Sequence, residues 1–362
     1  MPLLLAKLAL AAGSVGLCVA CAEVVLRLLT PKERQNAGRL YSLGPNRGLG
    51  TSMLLPSARA LQHGEWIETN RLGLRDREYT VEKPPGTVRV AFFGDSFTYG
   101  YGVPLAQVFT ERLEARLGET FGAGRVEVWN FGSPGMNSFE ELLYYASYGR
   151  QFEPDLVVQV WVPFDRERNG YSYADFERFA ATGAVPAARP AARGERVGGE
   201  SRSRFYREYA RRLYVSRFFL RRLKGVAGRF GFNLNRSEEL ALVATDSEGY
   251  RLMLASMTEF SSLAREDGAE FLLVLFLGLQ LLRSDYYQDL LYSKLEAFGA
   301  AEGIPVFNLF PAFRGRRASD LHLSLVDAHP DAEGHAIAAD ALYDAIAPRV
   351  AAVLGRSGPG TR

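Results

Sequence analysis

The chain has little cysteine and no large excess of charge of either sign. Of its 362 residues only two are cysteines, Cys18 and Cys21, and both lie in one apolar stretch near the N-terminus. The rest of the chain therefore cannot form an intramolecular disulfide, and cysteine usage does not indicate the compartment. The formal net charge is +2, and no zinc-finger spacing, Walker loop or RNA-binding signature is present. We therefore expect no nucleic-acid partner.

The composition is that of an ordinary globular protein, with 47% hydrophobic and 23% charged residues. A chain of this length has room for one large α/β domain with an insertion, or for two small domains.

Residues 1–30 are predicted to be a membrane-targeting segment. Its uncharged run, 8–22, is shorter than the roughly 20 apolar residues of a spanning helix and longer than many signal-peptide cores. A cleaved signal peptide, a lipidated Cys21 and a retained signal anchor all stay open. We expect the remaining chain on the extracytoplasmic side, in the periplasm or cell envelope, although a literal count of basic flanking residues does not favour export.

Five short apolar runs rich in β-formers predict buried parallel strands. They are 88–93, 126–131, 156–162, 271–277 and 305–309. Helical periodicity occupies much of the chain between and after them, at 106–118, 138–152, 248–267, 288–302 and 332–354. Strands that alternate with helices predict βαβ units in a doubly wound parallel sheet.

The predicted domain, 86–354, is flanked and interrupted by less regular sequence. Residues 31–85 are expected to form loops and short strands, and 355–362 a tail. A helical insertion is expected at about 166–246, and its segment 201–230 carries ten basic residues against one acidic residue. This segment is either a basic amphipathic helix for an anionic membrane or acidic polymer, or a solvated helix whose aromatic residues pack on the body.

A candidate nucleophile, Ser96, follows the first predicted strand directly. It lies in the run Gly94-Asp95-Ser96-Phe97-Thr98-Tyr99-Gly100. Ligands of open α/β sheets bind beyond the carboxyl ends of the strands, and a serine on a tight turn there exposes its hydroxyl. A serine needs a base, and the base needs an orienting partner.

A candidate base and acid lie near the C-terminus, in Asp327-Ala328-His329-Pro330. His329 would take the proton of Ser96, and Asp327 would hold the imidazole ring and stabilise its charged form. Asp320 is an alternative acid. His335 is expected to be a structural residue at the start of a helix.

These segments resemble the blocks of the SGNH/GDSL hydrolase superfamily, and the resemblance covers most of the chain after about residue 65. It implies a three-layer α/β/α sandwich with a flavodoxin-like parallel sheet, and an acyl-serine on Ser96. Asn130-Phe131-Gly132-Ser133-Pro134-Gly135 is similar to the second block, which implies that the amides of Gly135 and Ser96 bind the oxyanion. The lead-in 70–75 is similar to that of a membrane-anchored bacterial branch.

Two positions depart from the family pattern. Phe164 stands where the third block carries an oxyanion-binding asparagine, and Asn169 lies five residues further on. Loss of one oxyanion donor typically costs about 10²–10³ in turnover. The commoner pattern also places the acid three residues before the histidine, at Val326 in this chain, so Asp327 must act from two residues away.

The sequence thus predicts a serine-dependent esterase that acts on an acetyl or acyl ester of an envelope carbohydrate or lipid, with no cofactor and no metal. An O-acyltransferase for an exported polysaccharide would use the same residues. A catalytically impaired binding protein at the membrane is the rival from another class, supported by Phe164. His322, His329 and His335 match no compact zinc spacing, and the glycines near Ser96 match no phosphate-binding motif.

Overall fold

The computed structural model describes Ser14 and residues 17–25, 40–43, 52–62, 65–163, 171–186, 247–276, 278–279, 282, 291–324 and 327–356. The chain divides into two compact units. The described part of the first unit is Ser14 with the helical stretch 17–25, and the other described residues belong to the second. The basic segment predicted at 201–230 lies outside the described residues.

The helical stretch 17–25 exposes four large apolar side chains, those of Leu17, Val19, Val24 and Val25. Within the described part of the chain, no helix combines the length and the apolar character that crossing a membrane requires.

The lead-in of the second unit forms two antiparallel hairpins. Strand β1 (Tyr41–Leu43) pairs with β2 (Ser52–Leu54), and β3 (Arg59–Gln62) pairs with β4 (Glu65–Glu68). The inward face of the second hairpin contributes Ala60 and Ile67 to a small core that also contains Tyr99.

The predicted parallel sheet is confirmed. Its strands are β5 (Val88–Gly94), β6 (Val126–Gly132), β7 (Leu156–Trp161), β8 (Glu270–Leu275) and β9 (Val306–Asn308). All four neighbouring pairs are parallel, in the order β6-β5-β7-β8-β9, which is the flavodoxin-like order. A further antiparallel hairpin near the C-terminus joins β10 (His322–Ser324) to β11 (Asp327–Pro330).

Helices lie between and after these strands, and five of them overlap the five predicted helical ranges. They are α1 (Ser96–Tyr99), α2 (Phe109–Phe121), α3 (Ser138–Ser147), α4 (Tyr173–Thr182), α5 (Glu248–Glu266), α6 (Ser293–Glu302), α7 (Phe310–Phe313) and α8 (Ala332–Arg356). Short 3₁₀ turns occur at Leu105–Gln107, Gly149–Phe152 and Ala318–Asp320.

Helices cover both faces of the sheet, so the predicted three layers are present. Successive residues of a strand point to opposite faces. Phe92 of β5 meets Phe109 of α2, with ring centroids 5.4 Å apart, whereas Phe93 meets Tyr145 of α3 at 5.6 Å and Phe260 of α5 at 5.4 Å. Coverage on both sides explains why every residue of β5 is buried and why its sequence is a continuous apolar run.

Side chains cover the outer edge of β6, which ends the sheet. Glu114 Oε2 accepts a hydrogen bond from the amide of Val128 at 2.6 Å, and Asp76 Oδ2 accepts one from the amide of Asn130 at 2.7 Å. An open sheet edge is a template for unwanted pairing, so these two acidic side chains protect the strand.

The strand order also determines where a ligand can bind. From β5 the chain moves outward to β6 and then returns to β7, on the other side of β5. Neighbouring connections that leave in opposite directions open a crevice at the carboxyl ends of the strands. Ser96 is the second residue after β5 and lies at that crevice.

Candidate active site

Ser96 lies at the first position of α1, on a turn that begins with glycine. A Cβ on Gly94 would lie 2.1 Å from Thr98 Oγ1 and 3.1 Å from the carbonyl oxygen of Val160, so only glycine permits this close approach. Asp95 caps the helix, because its Oδ1 accepts a hydrogen bond from the amide of Phe97 at 2.8 Å. The predicted strand–turn–helix context of the serine is therefore present.

His329 and Asp327 lie on β11, which the sequence patterns did not predict. Residues two apart on a strand point to the same side. Asp327 can therefore act from two residues away, whereas the commoner three-residue spacing would not suit an extended segment. Asp327 Oδ1 lies 2.6 Å from His329 Nδ1 and also accepts a hydrogen bond from the His329 amide at 3.2 Å.

The fold brings Ser96 and His329, 233 positions apart in the chain, into hydrogen-bonding contact. Ser96 Oγ lies 2.8 Å from His329 Nε2. With the Nδ1 proton donated to Asp327, Nε2 carries the lone pair that accepts the hydroxyl proton of Ser96. Ser96 Oγ also lies 3.3 Å from Asp95 Oδ2. The contact with His329 is the shorter of the two.

Two aromatic rings flank the imidazole of His329. The ring centroid of Phe97 is 5.4 Å away, and that of Tyr101 is 4.6 Å away. His329 and Asp327 keep 27% and 23% of their side-chain surface exposed. The imidazole is thus packed on its sides and still reachable from solvent.

Gly135 lies in a turn at the same end of the sheet as Ser96. The amide of Met136 donates to the carbonyl of Ser133 at 3.2 Å, Pro134 and Gly135 occupy the two central positions, and Gly135 has φ of 87°. A proline followed by a residue of positive φ is typical of a type II turn. The amide of Ser133 donates to the carbonyl of Gly94 at 3.0 Å, which ties this turn to the nucleophile's own turn. Oxyanion binding by the amides of Gly135 and Ser96 stays a prediction.

Several residues considered from the sequence lie elsewhere or outside the description. Phe164 and Asn169 lie outside the described residues. Asp320 is half-exposed and accepts a hydrogen bond from Arg317 Nε at 2.8 Å, so it does not serve His329. In the described ranges, His, Cys, Asp and Glu side chains form no group of three that could hold a metal ion.

His335 is fully buried in α8. Its Nδ1 accepts a hydrogen bond from the amide of Phe109, the first residue of α2, at 3.3 Å. Burial, together with the positive charges of Arg75 and Arg112, lowers the pKa of His335 to about 3. This histidine is therefore neutral, and it caps a helix instead of transferring protons in the reaction.

A buried acid near the nucleophile's turn was not predicted. Glu141 of α3 is fully buried, and its Oε2 accepts a hydrogen bond from Gln159 Nε2 of β7 at 2.8 Å. Burial, with further contributions from the nearby charges of Asp95 and Glu140, raises the pKa of Glu141 to about 8, although the Gln159 hydrogen bond opposes the rise. Two glutamates in the first turn of a helix are usual, so the sequence carried no signal that both are buried and that Glu141 has a raised pKa.

We expect the substitution Glu141→Gln to remove a pH dependence of stability. A raised folded-state pKa means that the folded protein binds the proton more tightly than the unfolded chain does, so stability is lost as pH rises from about 4.5 to about 8. As the pH rises across this window, the free energy of unfolding of the variant should therefore increase relative to that of the wild type by up to about 1.4 kcal/mol per pH unit. Urea denaturation of both proteins at pH 5, 6, 7 and 8 measures the difference, and a difference that stays constant would contradict a neutral Glu141.

No protein-family model and no curated protein matches the chain. Solved structures similar to it include an acylhydrolase from Bacteroides fragilis, at 14% identity over 74% of this chain and 91% of that chain, with a TM-score of 0.38. Another is a lipolytic protein of the G-D-S-L family from Desulfitobacterium hafniense, at 13% identity over 71% of this chain and 99% of that chain, with a TM-score of 0.37. A third is a lipase from a goat rumen metagenome, at 14% identity over 73% of this chain and 100% of that chain, with a TM-score of 0.43.

Proposed function

We propose that the chain is a serine-dependent esterase of the SGNH type that works through an acyl-Ser96 intermediate. The observation that carries the proposal is the continuous contact from Ser96 Oγ to His329 Nε2 at 2.8 Å and from His329 Nδ1 to Asp327 at 2.6 Å. A nucleophile within hydrogen-bonding distance of a base, with the base oriented by a carboxylate, is the arrangement that acyl transfer requires.

The reaction follows from these contacts. Ser96 Oγ attacks the ester carbonyl carbon while His329 Nε2 takes the hydroxyl proton, and Asp327 stabilises the imidazolium. The tetrahedral intermediate collapses, its bond to the alcohol oxygen breaks, and the alcohol leaves with the proton from His329. Water then attacks the acyl-serine with His329 again as the base, which releases the carboxylic acid and regenerates Ser96.

The amides of Ser96 and Gly135 are the donors we assign to the oxyanion. Ser96 begins α1, where the first backbone amides of a helix have no partner within it, and the type II turn of Gly135 lies at the same end of the sheet. Backbone donors that are already in place stabilise the charge without reorganisation.

The substrate we propose is an acetyl or acyl ester of an envelope carbohydrate or lipid, met at a membrane. Support comes from the N-terminal segment, whose described helical stretch exposes Leu17, Val19, Val24 and Val25. Clustered exposed apolar side chains are typical of a surface that meets a membrane or another protein. An alcohol acceptor in place of water would convert the same chemistry into O-acyl transfer.

Fluorophosphonate labelling tests the proposed nucleophile. We expect the full-length protein in detergent to be labelled at Ser96 and to hydrolyse p-nitrophenyl acetate, because the hydroxyl is already hydrogen-bonded to its base. Peptide mapping by mass spectrometry identifies the labelled serine, and Ser96→Ala is expected to lose the label.

The matched control is Ser138→Ala. Ser138 is another buried serine, and its hydroxyl has no hydrogen-bond partner among the residues that the structure describes. This variant should label and turn over as the wild type does. A folded wild-type protein that neither labels nor hydrolyses esters would refute the esterase, and the binding-protein alternative would replace it.

A further inference from the structure

We propose that Arg75 and Asp76 are positioning residues of the active site. Arg75 holds the nucleophile loop, residues 99–103, and Asp76 holds the strand that leads to Gly135. The inference rests on the proposed esterase function. Both residues precede the predicted domain 86–354, in a lead-in with no assigned chemical role.

The turn that presents the two residues is held together by its own side chain. Asn70 Oδ1 accepts hydrogen bonds from the amides of Leu72 and Leu74, each at 3.0 Å, and Asn70 Nδ2 donates to the carbonyl of Arg77 at 2.8 Å. The turn is therefore ordered locally. Arg75 and Asp76 in this turn point into the protein, since the two residues are 1% and 5% exposed.

Arg75 binds three backbone carbonyls of the nucleophile loop. Its Nη1 donates to the carbonyl of Tyr99 at 2.9 Å and to that of Gly100, and its Nη2 donates to that of Val103. The guanidinium carbon also lies 4.9 Å from the ring centroid of Tyr99. The last carbonyls of a helix have no partner within the helix and carry partial negative charge. A cation beyond the end of α1 therefore gives these carbonyls both a hydrogen-bond donor and a favourable positive charge. A buried guanidinium in turn requires such acceptors, and the loop and the arginine hold each other in place.

The nucleophile loop connects Arg75 to His329. The amide of Tyr101 donates to the carbonyl of Ser96 at 3.0 Å, and the ring of Tyr101 lies 4.6 Å from that of His329. A Cβ on Gly102 would lie 2.2 Å from Leu323 Cδ1, so the loop also packs closely on β10, the partner strand of β11. A shift of the loop would therefore move both the ring beside His329 and the hairpin that carries it.

Asp76 connects the same turn to the other side of the site. Its Oδ2 accepts a hydrogen bond from the amide of Asn130 in β6 at 2.7 Å, and Asn130 Nδ2 donates to the carbonyl of Thr98 in α1 at 2.8 Å. Strand β6 runs directly into the turn of Gly135. Arg75 and Asp76 therefore fix the position of the nucleophile relative to that of the proposed oxyanion donor. Placement errors of about 1 Å can cost about 10²-fold in rate, so the relative position of these two groups affects catalysis.

The substitution Arg75→Lys tests the inference. An ammonium cannot reach three carbonyls with the geometry of a guanidinium, so we expect kcat for p-nitrophenyl acetate to fall 10–100-fold while KM changes less than about threefold. Fluorophosphonate labelling of Ser96 should slow in proportion to kcat. The matched control is Arg71→Met, which alters an exposed arginine of the same turn and should leave kcat within about twofold of the wild type.

A second variant keeps the test decisive if Arg75→Lys does not fold. Tyr101 is only partly buried, and Tyr101→Leu removes its ring from His329 without disturbing the buried guanidinium. We expect kcat to fall 3–10-fold. Where Arg75→Lys does fold, the Arg75→Lys/Tyr101→Leu double variant should be little slower than Arg75→Lys alone, because both act through one route.

The outcomes separate this inference from the proposed function. If the wild type labels at Ser96 but either folded single variant keeps wild-type kcat, the positioning role of Arg75 through the nucleophile loop is wrong and the esterase stands. An Arg75→Lys protein with a lower melting temperature and unchanged kcat would show that the arginine serves stability alone, which also overturns the inference. If the wild type does not label at all, the esterase fails and the positioning role fails with it.

Discussion

Replacing Ser96 with alanine is expected to lower kcat/KM for p-nitrophenyl acetate by about 10⁵-fold or more, and His329→Ala by a similar factor. The two side chains share one proton across the 2.8 Å contact, so neither works without the other. The double variant should therefore be no slower than either single one. Losses that multiplied would mean that the two residues act independently.

Substantial residual activity in Ser96→Ala would contradict the assignment of Ser96 as the nucleophile. Purified Ser96→Ala protein, melting within a few degrees of the wild type, should retain less than about 1% of its activity. Higher residual activity would require another nucleophile. Ser138→Ala again supplies the control for removing a buried serine hydroxyl.

Asp327→Asn is expected to lower kcat by about 10³–10⁴-fold with little change in KM. Asp327 Oδ1 accepts the Nδ1 proton of His329 at 2.6 Å and so leaves Nε2 as the base. An amide can instead present its own N–H to Nδ1, which moves the histidine proton to Nε2 and blocks transfer from Ser96. Steady-state kinetics above and below neutral pH measure the loss.

Asp320→Asn is the matched control, because Asp320 was the alternative acid. It pairs with the exposed Arg317 at the surface. Surface ion pairs contribute little, so kcat and stability should both stay close to those of the wild type. A large loss in Asp320→Asn with none in Asp327→Asn would reverse the assignment of the acid.

The sequence predicted the sheet well because each strand is specified locally. The predicted runs at 88–93 and 126–131 each end one residue before the observed strand does, and α5 was expected at 248–267 and spans Glu248–Glu266. Runs buried on both faces and helices with a regular apolar face leave a strong periodic pattern. The helix predicted at 106–118 begins later, at Phe109, since Leu105–Gln107 forms a 3₁₀ turn.

The hairpin that carries His329 left no such pattern. Strands β10 and β11 have three and four residues, and β11 contains His329 and ends at Pro330. Segments this short are specified by pairing and packing, and their own propensities contribute little. Arg75 was likewise noted from its lead-in motif, but nothing in that motif reveals that the guanidinium reaches the carbonyl of Tyr99, 24 positions later.

The sequence by itself determined the order of the five sheet strands and of the main helices, the serine on a glycine turn after the first strand of the sheet, and a histidine and an aspartate close together near the end of the chain. These are local features, recorded in neighbouring residues. Only the tertiary structure decided that Ser96 meets His329, that Asp327 and not Asp320 is the acid at the histidine, and that Arg75 is bound to the nucleophile loop. Each of those contacts depends on how distant segments pack or on the path of the backbone. The pattern of residue types along the chain reveals neither the packing nor the path.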